Sequence, residues 1–235
     1  MPRTPRPSVY DFYARTLPQR ATFAVLILLC SYLAAWILLG PGLTTIGCWL
    51  GHNWTPANPL RRAILATALT IYFLRLLLTI FVFSRRGIRW SEVSIIVPWI
   101  FLLFCVFSIL GALNPAPFAA AGWAGVALYL FGSWMNTWSE HQRNLWKQRP
   151  ENRGHLYTGG LFRYTRHPNY LGDVILFSGL CLICGRSITA IIPVLMLAGF
   201  VFANIPTLDK HLQQHYGDEF THYATHTRKL IPFVY

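Results

Sequence analysis

The sequence predicts an all-α fold, a polytopic membrane bundle of about six transmembrane helices, or seven if one segment is split or re-entrant. The 235 residues are 54% hydrophobic and only 12% charged, which lies outside the usual composition of soluble domains. Apolar stretches recur at lengths near the ~20 residues that cross a bilayer. We therefore interpret 1–235 as a single integral membrane domain.

Six apolar segments account for the predicted spans. The first follows an amino-terminal segment that is too aromatic for a signal peptide and has no small-residue cleavage site after it, so we expect a retained span. The fifth segment is shorter than the others and begins with polar residues. In chain order the segments are 21–40, 62–83, 93–112, 117–137, 172–184 and 188–206.

The distribution of Lys and Arg predicts the orientation. Six spans place both termini on one side of the membrane, and the positive-inside rule assigns the more basic side to the cytoplasm. Sixteen of the twenty basic residues fall on the side of the termini, and three fall on the other side. The formal charge of +12 thus reflects topology, and we do not expect nucleic-acid binding.

Cysteine spacing gives no metal or redox signal. Cys181 and Cys184 form a C-x-x-C pair, but they are flanked by Leu and Ile within an apolar segment and lack a second pair of ligands nearby. We expect both side chains to serve packing, and we predict no metal site.

The fourth apolar segment continues into a polar helix. No breaker follows it before the PENRG stretch, so we expect about two to three further turns in the cytosol. There Asn136, Glu140 and Lys147 share one face at helical periodicity, an arrangement suited to a carboxamide, ribose hydroxyls and a phosphate. The alternative is a solvated face on which Glu140 pairs with Arg143 or Asn144 within its own helix.

The stretch YTRHPNYLGD concentrates polar side chains at the start of the fifth segment. Pro168 suits the first position of a helix and disfavours helical geometry at the preceding residue, so His167 is expected near the N-cap. The first helical turns then carry Asn169, Tyr170 and Asp173.

An anion site is predicted at that helix start. A helix amino terminus offers free N–H groups and partial positive charge, and Arg163 and Arg166 immediately precede it. The alternative is that the basic residues anchor the helix at lipid headgroups. That alternative leaves Asn169 and Asp173 unexplained.

Polar residues in the second span and in the tail complete the candidate set. Tyr72 and Arg75 lie one turn apart in an apolar segment, where a buried arginine is costly unless it meets an anion or a polar cavity. Arg75 is too far from the end of the segment to reach the surface easily. In the tail, Gly217 is a predicted turn, and four residues either close over a cofactor or lie at the surface: Asp209, His211, Tyr216 and Tyr223.

The carboxyl-terminal motifs resemble known membrane enzymes. The segments GGLFRYTRHPNYLGDVILFSG and TRKLIPFVY are similar to the end of the steroid 5-alpha-reductase family, and R-H-P-N-Y-x-G-D also resembles delta-14 and delta-7 sterol reductases. A wider superfamily with R-H-P-x-Y-x-G includes isoprenylcysteine carboxyl methyltransferases and phospholipid methyltransferases. Bacterial reductase-like proteins of unknown function share RPENRG followed by GGLFRYTRHPNY. The resemblance covers 136–235 well and reaches Tyr72, Arg75 and SRRG more weakly.

The resemblance implies a bundle with a cytosolic NADPH pocket, built mainly from the half of the chain at 136–235, in a bacterial inner membrane. Tyr72 and Arg75 match residues at the substrate and nicotinamide end, which implies catalytic roles. One family glutamate has no counterpart, because spans one and two contain no acidic residue. The positions that match cofactor contacts are Asn136, Glu140, Lys147, Arg166, Asn169, Asp173 and His211.

Two enzymatic functions are consistent with this motif. We favour an NADPH-dependent reductase of a C=C bond in an apolar, lipid or steroid-like substrate, because six basic residues in 138–170 suit a polyanion. The alternative is a methyltransferase that uses S-adenosylmethionine, a sulfonium cation. Methyltransferase versions of the motif commonly lack the pair formed here by Asn169 and Asp173, and often carry a Glu-Glu pair that this tail lacks. A lipid-binding protein without enzymatic activity is a third, weaker alternative.

Overall fold

The computed structural model describes residues 16–84 and 86–235. The amino-terminal residues 1–15, predicted to be cytosolic, and Arg85, one of the counted basic residues, lie outside the described part. Within the described ranges the chain is all-α, and its β pairing is an isolated bridge between Thr165 and Arg228. The predicted fold class is confirmed.

The helices follow the predicted apolar segments. π-Helical turns continue α3 at Thr79–Phe83 and α7 at Phe200–Asn204. In chain order the helices are α1 (Leu17–Leu39), α2 (Gly42–Trp49), α3 (Pro59–Leu78), α4 (Trp90–Ala112), α5 (Ala120–Gln148), α6 (Pro168–Cys184), α7 (Ile191–Gly199), α8 (Ile205–Tyr216) and α9 (Asp218–His226).

Four of the helical runs in the described residues are long and apolar enough to cross a membrane. They are Leu17–Leu39, Pro59–Phe83, Trp90–Ala112 and Ser187–Tyr216. Helix α6 is apolar but has only 17 residues, and α5 carries glycines and polar residues along its inner face. These two helices supply the other predicted spans, so the count of six stays a prediction.

One boundary and one additional helix differ from what was expected. The last span was predicted to end at 206, whereas the helical run continues to Tyr216, because the polar tail residues still form helix and Gly217 is the first to leave it. The short helix α2 was not predicted. Helix α5 does run to Gln148 and stops before Pro150, as the sequence indicated.

Helices α5 and α6 pack with their backbones in contact at glycines. A Cβ atom on Gly132 would lie 2.5 Å from the carbonyl oxygen of Gly172, and a Cβ atom on Gly179 would lie 2.5 Å from the backbone nitrogen of Tyr129. The glycines repeat seven residues apart on each helix, at 125 and 132 and at 172 and 179. This close approach brings the polar face of α5 against the start of α6.

The tail folds back onto the loop before α6. The hydroxyl of Tyr223 donates a hydrogen bond to the carbonyl of Phe162 (2.6 Å), and the backbone N–H of Arg166 donates to the carbonyl of Arg228 (2.8 Å). Thr165 is buried and its hydroxyl donates to the carbonyl of Leu230 (2.8 Å). These bonds place α8 and α9 beside α5 and α6.

Candidate functional site

A cavity of about 470 Å³ opens at one end of the bundle, among the end of α3, the polar extension of α5, the start of α6, and α8. We call this the cavity end, and the opposite end of the bundle the far end. The cavity is lined by Thr79, Phe83, Ser84, Arg86, Glu140, Arg143, Asn144, Lys147, Asn169, Tyr170, Leu208, His211, Leu212, His215 and Tyr216.

The lining carries more positive than negative charge. Arg86, Arg143 and Lys147 face the cavity together with one carboxylate, Glu140. The guanidinium of Arg143 pairs with Glu140 one turn away, as the alternative interpretation of the helix face had it. The ammonium of Lys147 lies 3.3 Å from the hydroxyl of Tyr216, across the cavity from α5 to α8. The wall is therefore suited to an anionic ligand.

A hydrogen-bonded polar layer lies just inward of the residues that line the cavity, and we call this layer the floor. Nη2 of Arg75 lies 3.1 Å from Oδ1 of Asp173, and Nδ2 of Asn136 donates to the same oxygen (2.9 Å) and to the carbonyl of Asn169 (2.9 Å). Each of these three side chains lies about one helical turn inward from a cavity-lining residue. The intramembrane arginine thus meets an anion, as its burial required.

Tyr72 lies one turn further inward, where the surroundings become apolar. Its ring packs at an edge against Phe177, with centroids 5.4 Å apart, and against Phe104 at 6.1 Å. The guanidinium carbon of Arg75 is 5.5 Å from the centre of the Tyr72 ring. Nε and Nη1 of Arg75 are buried and make no hydrogen bond within the described structure. Tyr72 and Arg75 thus form the inner end of a column of polar side chains that begins at the cavity, which we call the polar column.

The start of α6 matches the predicted geometry, but a side chain of the protein supplies the anion there. Pro168 is the first helical residue and His167 is the N-cap. Nε2 of His167 lies 2.9 Å from Oδ1 of Asp209, and Nη1 of Arg166 lies 3.2 Å from the other oxygen of the same carboxylate. Asp209, on α8, therefore ties the tail to the start of α6.

A smaller cavity of about 50 Å³ adjoins this ion group. Arg166, His167 and Tyr223 line it. Lys147 and Asn169 line both the smaller and the larger cavity. Burial raises the pKa of the Tyr223 phenol above its usual value, so the phenol stays a neutral hydrogen-bond donor. Burial also raises the pKa of Tyr157, another residue lining this cavity.

The predicted site residues fall into four groups. The larger cavity is lined by Glu140, Lys147, Asn169, Tyr170 and His211. The smaller cavity is lined by Arg166 and His167, and Arg75, Asn136 and Asp173 form the floor, with Tyr72 beneath it. Arg163 is exposed and lines neither cavity, so the structure does not bring it to the others.

Sequence reasoning missed three basic lining residues. Arg86 was counted for topology and lay in the weakly matched SRRG without a role, Arg143 was considered only as a partner of Glu140, and His215 was not singled out. Helical periodicity would have found His215, because it lies four residues after His211 on α8. The contact of Asp209 with Arg166 and His167 depends on the docking of the tail, so residue spacing carried no signal for it.

Known proteins similar to this chain include a reductase and methyltransferases. The chain is 33% identical over 112 residues to 3-oxo-5-alpha-steroid 4-dehydrogenase 1 of Rattus norvegicus, covering 47% of this chain and 40% of the relative. It is 40% identical over 74 residues to the probable O-methyltransferase ustE of Ustilaginoidea virens, covering 31% and 26%. It is 31% identical over 91 residues to protein-S-isoprenylcysteine O-methyltransferase B of Arabidopsis thaliana, covering 39% and 46%.

These matches confirm the resemblance to a superfamily of reductases and methyltransferases. The chain spans less than half the length of each of these relatives. The family model described as "Protein of unknown function (DUF1295)" matches residues 90–227, from the start of α4 to the end of α9. Because this match covers more than half of the 235 residues, the chain belongs to that family.

Proposed function

We propose that this protein is a membrane-embedded, NADPH-dependent reductase of a C=C bond in an apolar lipid or steroid-like substrate. The observation that carries the proposal is the polar column: a cavity lined by Arg86, Arg143 and Lys147, the Arg75–Asp173 layer just inward of it, and Tyr72 one turn further in. A polyanion suits the outer part of this column. A proton donor beside apolar rings suits the inner part.

The residues present fit a dinucleotide. Ligand cavities typically enclose about 300–1,000 Å³, and the larger cavity, at about 470 Å³, lies within that range. Arg and Lys are the usual partners of phosphate oxygens. The buried N–H groups of Arg75 that lack an acceptor leave hydrogen-bond donors for a carboxamide or a substrate oxygen. The phosphate groups and the carboxamide of NADPH thus have complementary side chains along the column.

We assign the steps of the reaction to particular side chains. NADPH, when bound, supplies a hydride from its nicotinamide C4. Lys147 and Arg143 would bind phosphate groups, and Asn136 with Asp173 would orient the polar end of the ring. Tyr72 would deliver the proton that completes the reduction, with Arg75 beside its ring to stabilise developing negative charge.

The substrate side of the site favours a molecule that enters from the membrane. Phe104 and Phe177 surround the Tyr72 ring and exclude water from the place where the proton would be transferred. Because α1 and α3 contain no acidic residue within the predicted spans, we propose a conjugated lipid in preference to a 3-oxo-steroid. We place the protein in a bacterial inner membrane, with the cavity and both termini on the cytoplasmic side.

A methyltransferase that uses S-adenosylmethionine is the second candidate. Two of the relatives described above are named as O-methyltransferases, and one of them has the highest identity of the three. The excess of basic residues around the cavity argues against a sulfonium ligand by Coulombic repulsion. We therefore rank the reductase first.

A ligand-induced shift in unfolding temperature tests the choice of cofactor. The full-length protein, purified in detergent, is heated with NADPH, NADH or S-adenosylmethionine, since any ligand that binds the native state stabilises it. We expect stabilisation by NADPH, and we expect Tyr72→Phe to keep that stabilisation while losing turnover. Stabilisation by S-adenosylmethionine alone would overturn the proposal in favour of the methyltransferase.

A further inference from the structure

Arg20, in the first turns of α1, contacts the wall of the cavity from its outer side. Its guanidinium donates hydrogen bonds to three backbone carbonyls: those of Ile80, of Ser84 (2.9 Å) and of Arg86 (3.0 Å). Arg20 is the single arginine in α1. Arg20 does not itself line the cavity.

The carbonyls that bind Arg20 belong to one stretch at the end of α3, residues 79–84 together with Arg86, which we call the wall segment. The α-helical part of α3 ends at Leu78 and continues as the π-helical turn Thr79–Phe83. Such turns are uncommon and are frequently found at functional sites. Four residues of the wall segment line the cavity: Thr79, Phe83, Ser84 and Arg86.

Further hydrogen bonds hold the wall segment and the residues that follow it between α1 and α4. The hydroxyl of Thr16, one turn before Arg20, accepts a hydrogen bond from the backbone N–H of Ile88 (3.0 Å). On the other side, Nη1 of Arg86 lies 2.7 and 2.9 Å from the two carboxylate oxygens of Glu92 on α4. The cationic end of the wall is therefore held between α1 and α4.

We propose that Arg20 is a positioning residue for the ligand of the larger cavity: it fixes the wall segment so that Arg86 faces the ligand. A guanidinium that binds several carbonyls restricts the backbone far more than a single bond does. Without the guanidinium the wall segment gains conformational freedom. The ligand must then restrict that freedom when it binds, which weakens its affinity. This inference rests on the proposed function only in taking the cavity as the cofactor site.

The far end of the bundle offers a matched control for Arg20. Arg62, on α3, donates from Nε to the carbonyl of Leu38 near the end of α1 (2.6 Å). Arg20 and Arg62 therefore link the same two helices by the same kind of bond, at opposite ends. Removing either guanidinium should lower stability, but only the loss of Arg20 should weaken ligand binding.

The test compares NADPH dissociation constants of the full-length wild type, Arg20→Ala, Arg20→Lys and Arg62→Ala in detergent. We expect Arg20→Ala to weaken NADPH binding about tenfold, Arg20→Lys to recover part of the loss, and Arg62→Ala to bind within about twofold of wild type. The unfolding temperature without ligand should fall in both alanine variants. If Arg20→Ala fails to fold, Arg20→Lys carries the comparison, because an ammonium retains some of the carbonyl bonds.

Each contrary outcome has a separate meaning. Wild-type affinity in Arg20→Ala, or an equal loss in Arg62→Ala, overturns the positioning role while the proposed function stands. If S-adenosylmethionine binds the wild type and NADPH does not, the reductase proposal fails, and the same variants measured with S-adenosylmethionine decide the role of Arg20. A wild type that binds neither cofactor contradicts both proposals.

Discussion

The far end and the cavity end of the bundle both depend on arginine, but they use it differently. At the far end, Arg61 is 4% exposed and donates to the carbonyls of Ile183 (3.1 Å), Asn114 (2.9 Å) and Ala116 (2.8 Å). At the cavity end, Arg75 and Arg86 pair with the carboxylates of Asp173 and Glu92. The first arginine binds backbone acceptors, and the other two pair with side-chain anions.

The difference shows what distinguishes a structural arginine from a ligand-binding one. Carbonyls at the ends of α4 and α6 need hydrogen-bond donors, so Arg61 stabilises the ends of those helices. Arg61 lines neither of the two cavities described above. Buried N–H groups without an acceptor occur at both ends of the described structure, on Arg75 and Arg166 at the cavity end and on Arg186 at the far end. Arg75 lies just inward of the larger cavity and Arg166 lines the smaller one, whereas Arg186 lines neither, so burial becomes informative only in combination with a cavity.

The largest effect is expected at the far end, for Arg61→Met. Several buried carbonyls lose their donor, each at about 1–3 kcal/mol, so the free energy of unfolding should fall by about 4 kcal/mol. Chemical denaturation in detergent measures this loss, and the folded fraction should bind NADPH as wild type does. Arg186→Met is the control, because its guanidinium donates one bond, to the carbonyl of Leu113 (2.8 Å). Equal losses in the two variants would show that the carbonyl bonds of Arg61 are not what stabilises this end.

At the cavity end, Asp173→Ala should cost about 3 kcal/mol, because it leaves the buried guanidinium of Arg75 without its counter-ion. Replacing both partners, as Arg75→Met with Asp173→Leu, should restore most of that stability. Chemical denaturation measures both variants, and a thermal shift reports cofactor binding. The double variant should show no stabilisation by NADPH. If it responds as wild type does, the floor layer takes no part in binding.

A smaller effect is expected where α5 and α6 touch. A Cβ atom on Gly172 would lie 2.8 Å from backbone atoms of Gly132 and Asn136, so Gly172→Ala should cost about 2 kcal/mol by overpacking. Gly199→Ala is the control, because nothing lies within 4 Å of its added Cβ atom. That variant should be neutral or slightly stabilised, since alanine favours helix. Chemical denaturation of both variants measures the difference, and similar losses would contradict the close contact.

The smallest effect is expected for single charges around the cavity. Lys147→Gln should weaken NADPH binding about tenfold, or about 1.4 kcal/mol, without changing the unfolding temperature of the ligand-free protein. Lys210→Gln removes the same charge from an exposed position on α8 that does not line the cavity. Calorimetric titration at low ionic strength compares the two variants. Equal weakening would mean that only the overall charge attracts the cofactor.

The sequence predicted those parts of the site that depend on local order. The end of α5 and the start of α6 followed from the positions of prolines, and the faces that carry Asn136 and Asn169 followed from helical periodicity. The positions of Arg20 and Asp209 could not be predicted, because each acts across the fold on residues far away in the chain. The continuation of the last helix into the tail was also missed, since hydropathy falls there while helix formation continues.

An isotope-transfer experiment tests the central claim most directly. Membranes containing the full-length protein are incubated with lipid extract and either NADPH deuterated at C4 of the nicotinamide or S-adenosylmethionine with a labelled methyl group, and the lipids are analysed by mass spectrometry. The account predicts a lipid that loses one C=C bond and gains one deuterium, transferred from NADPH as deuteride, and one proton from water, and Tyr72→Phe should abolish this product. A labelled methyl group on a lipid, with no deuterium transfer, would contradict the account.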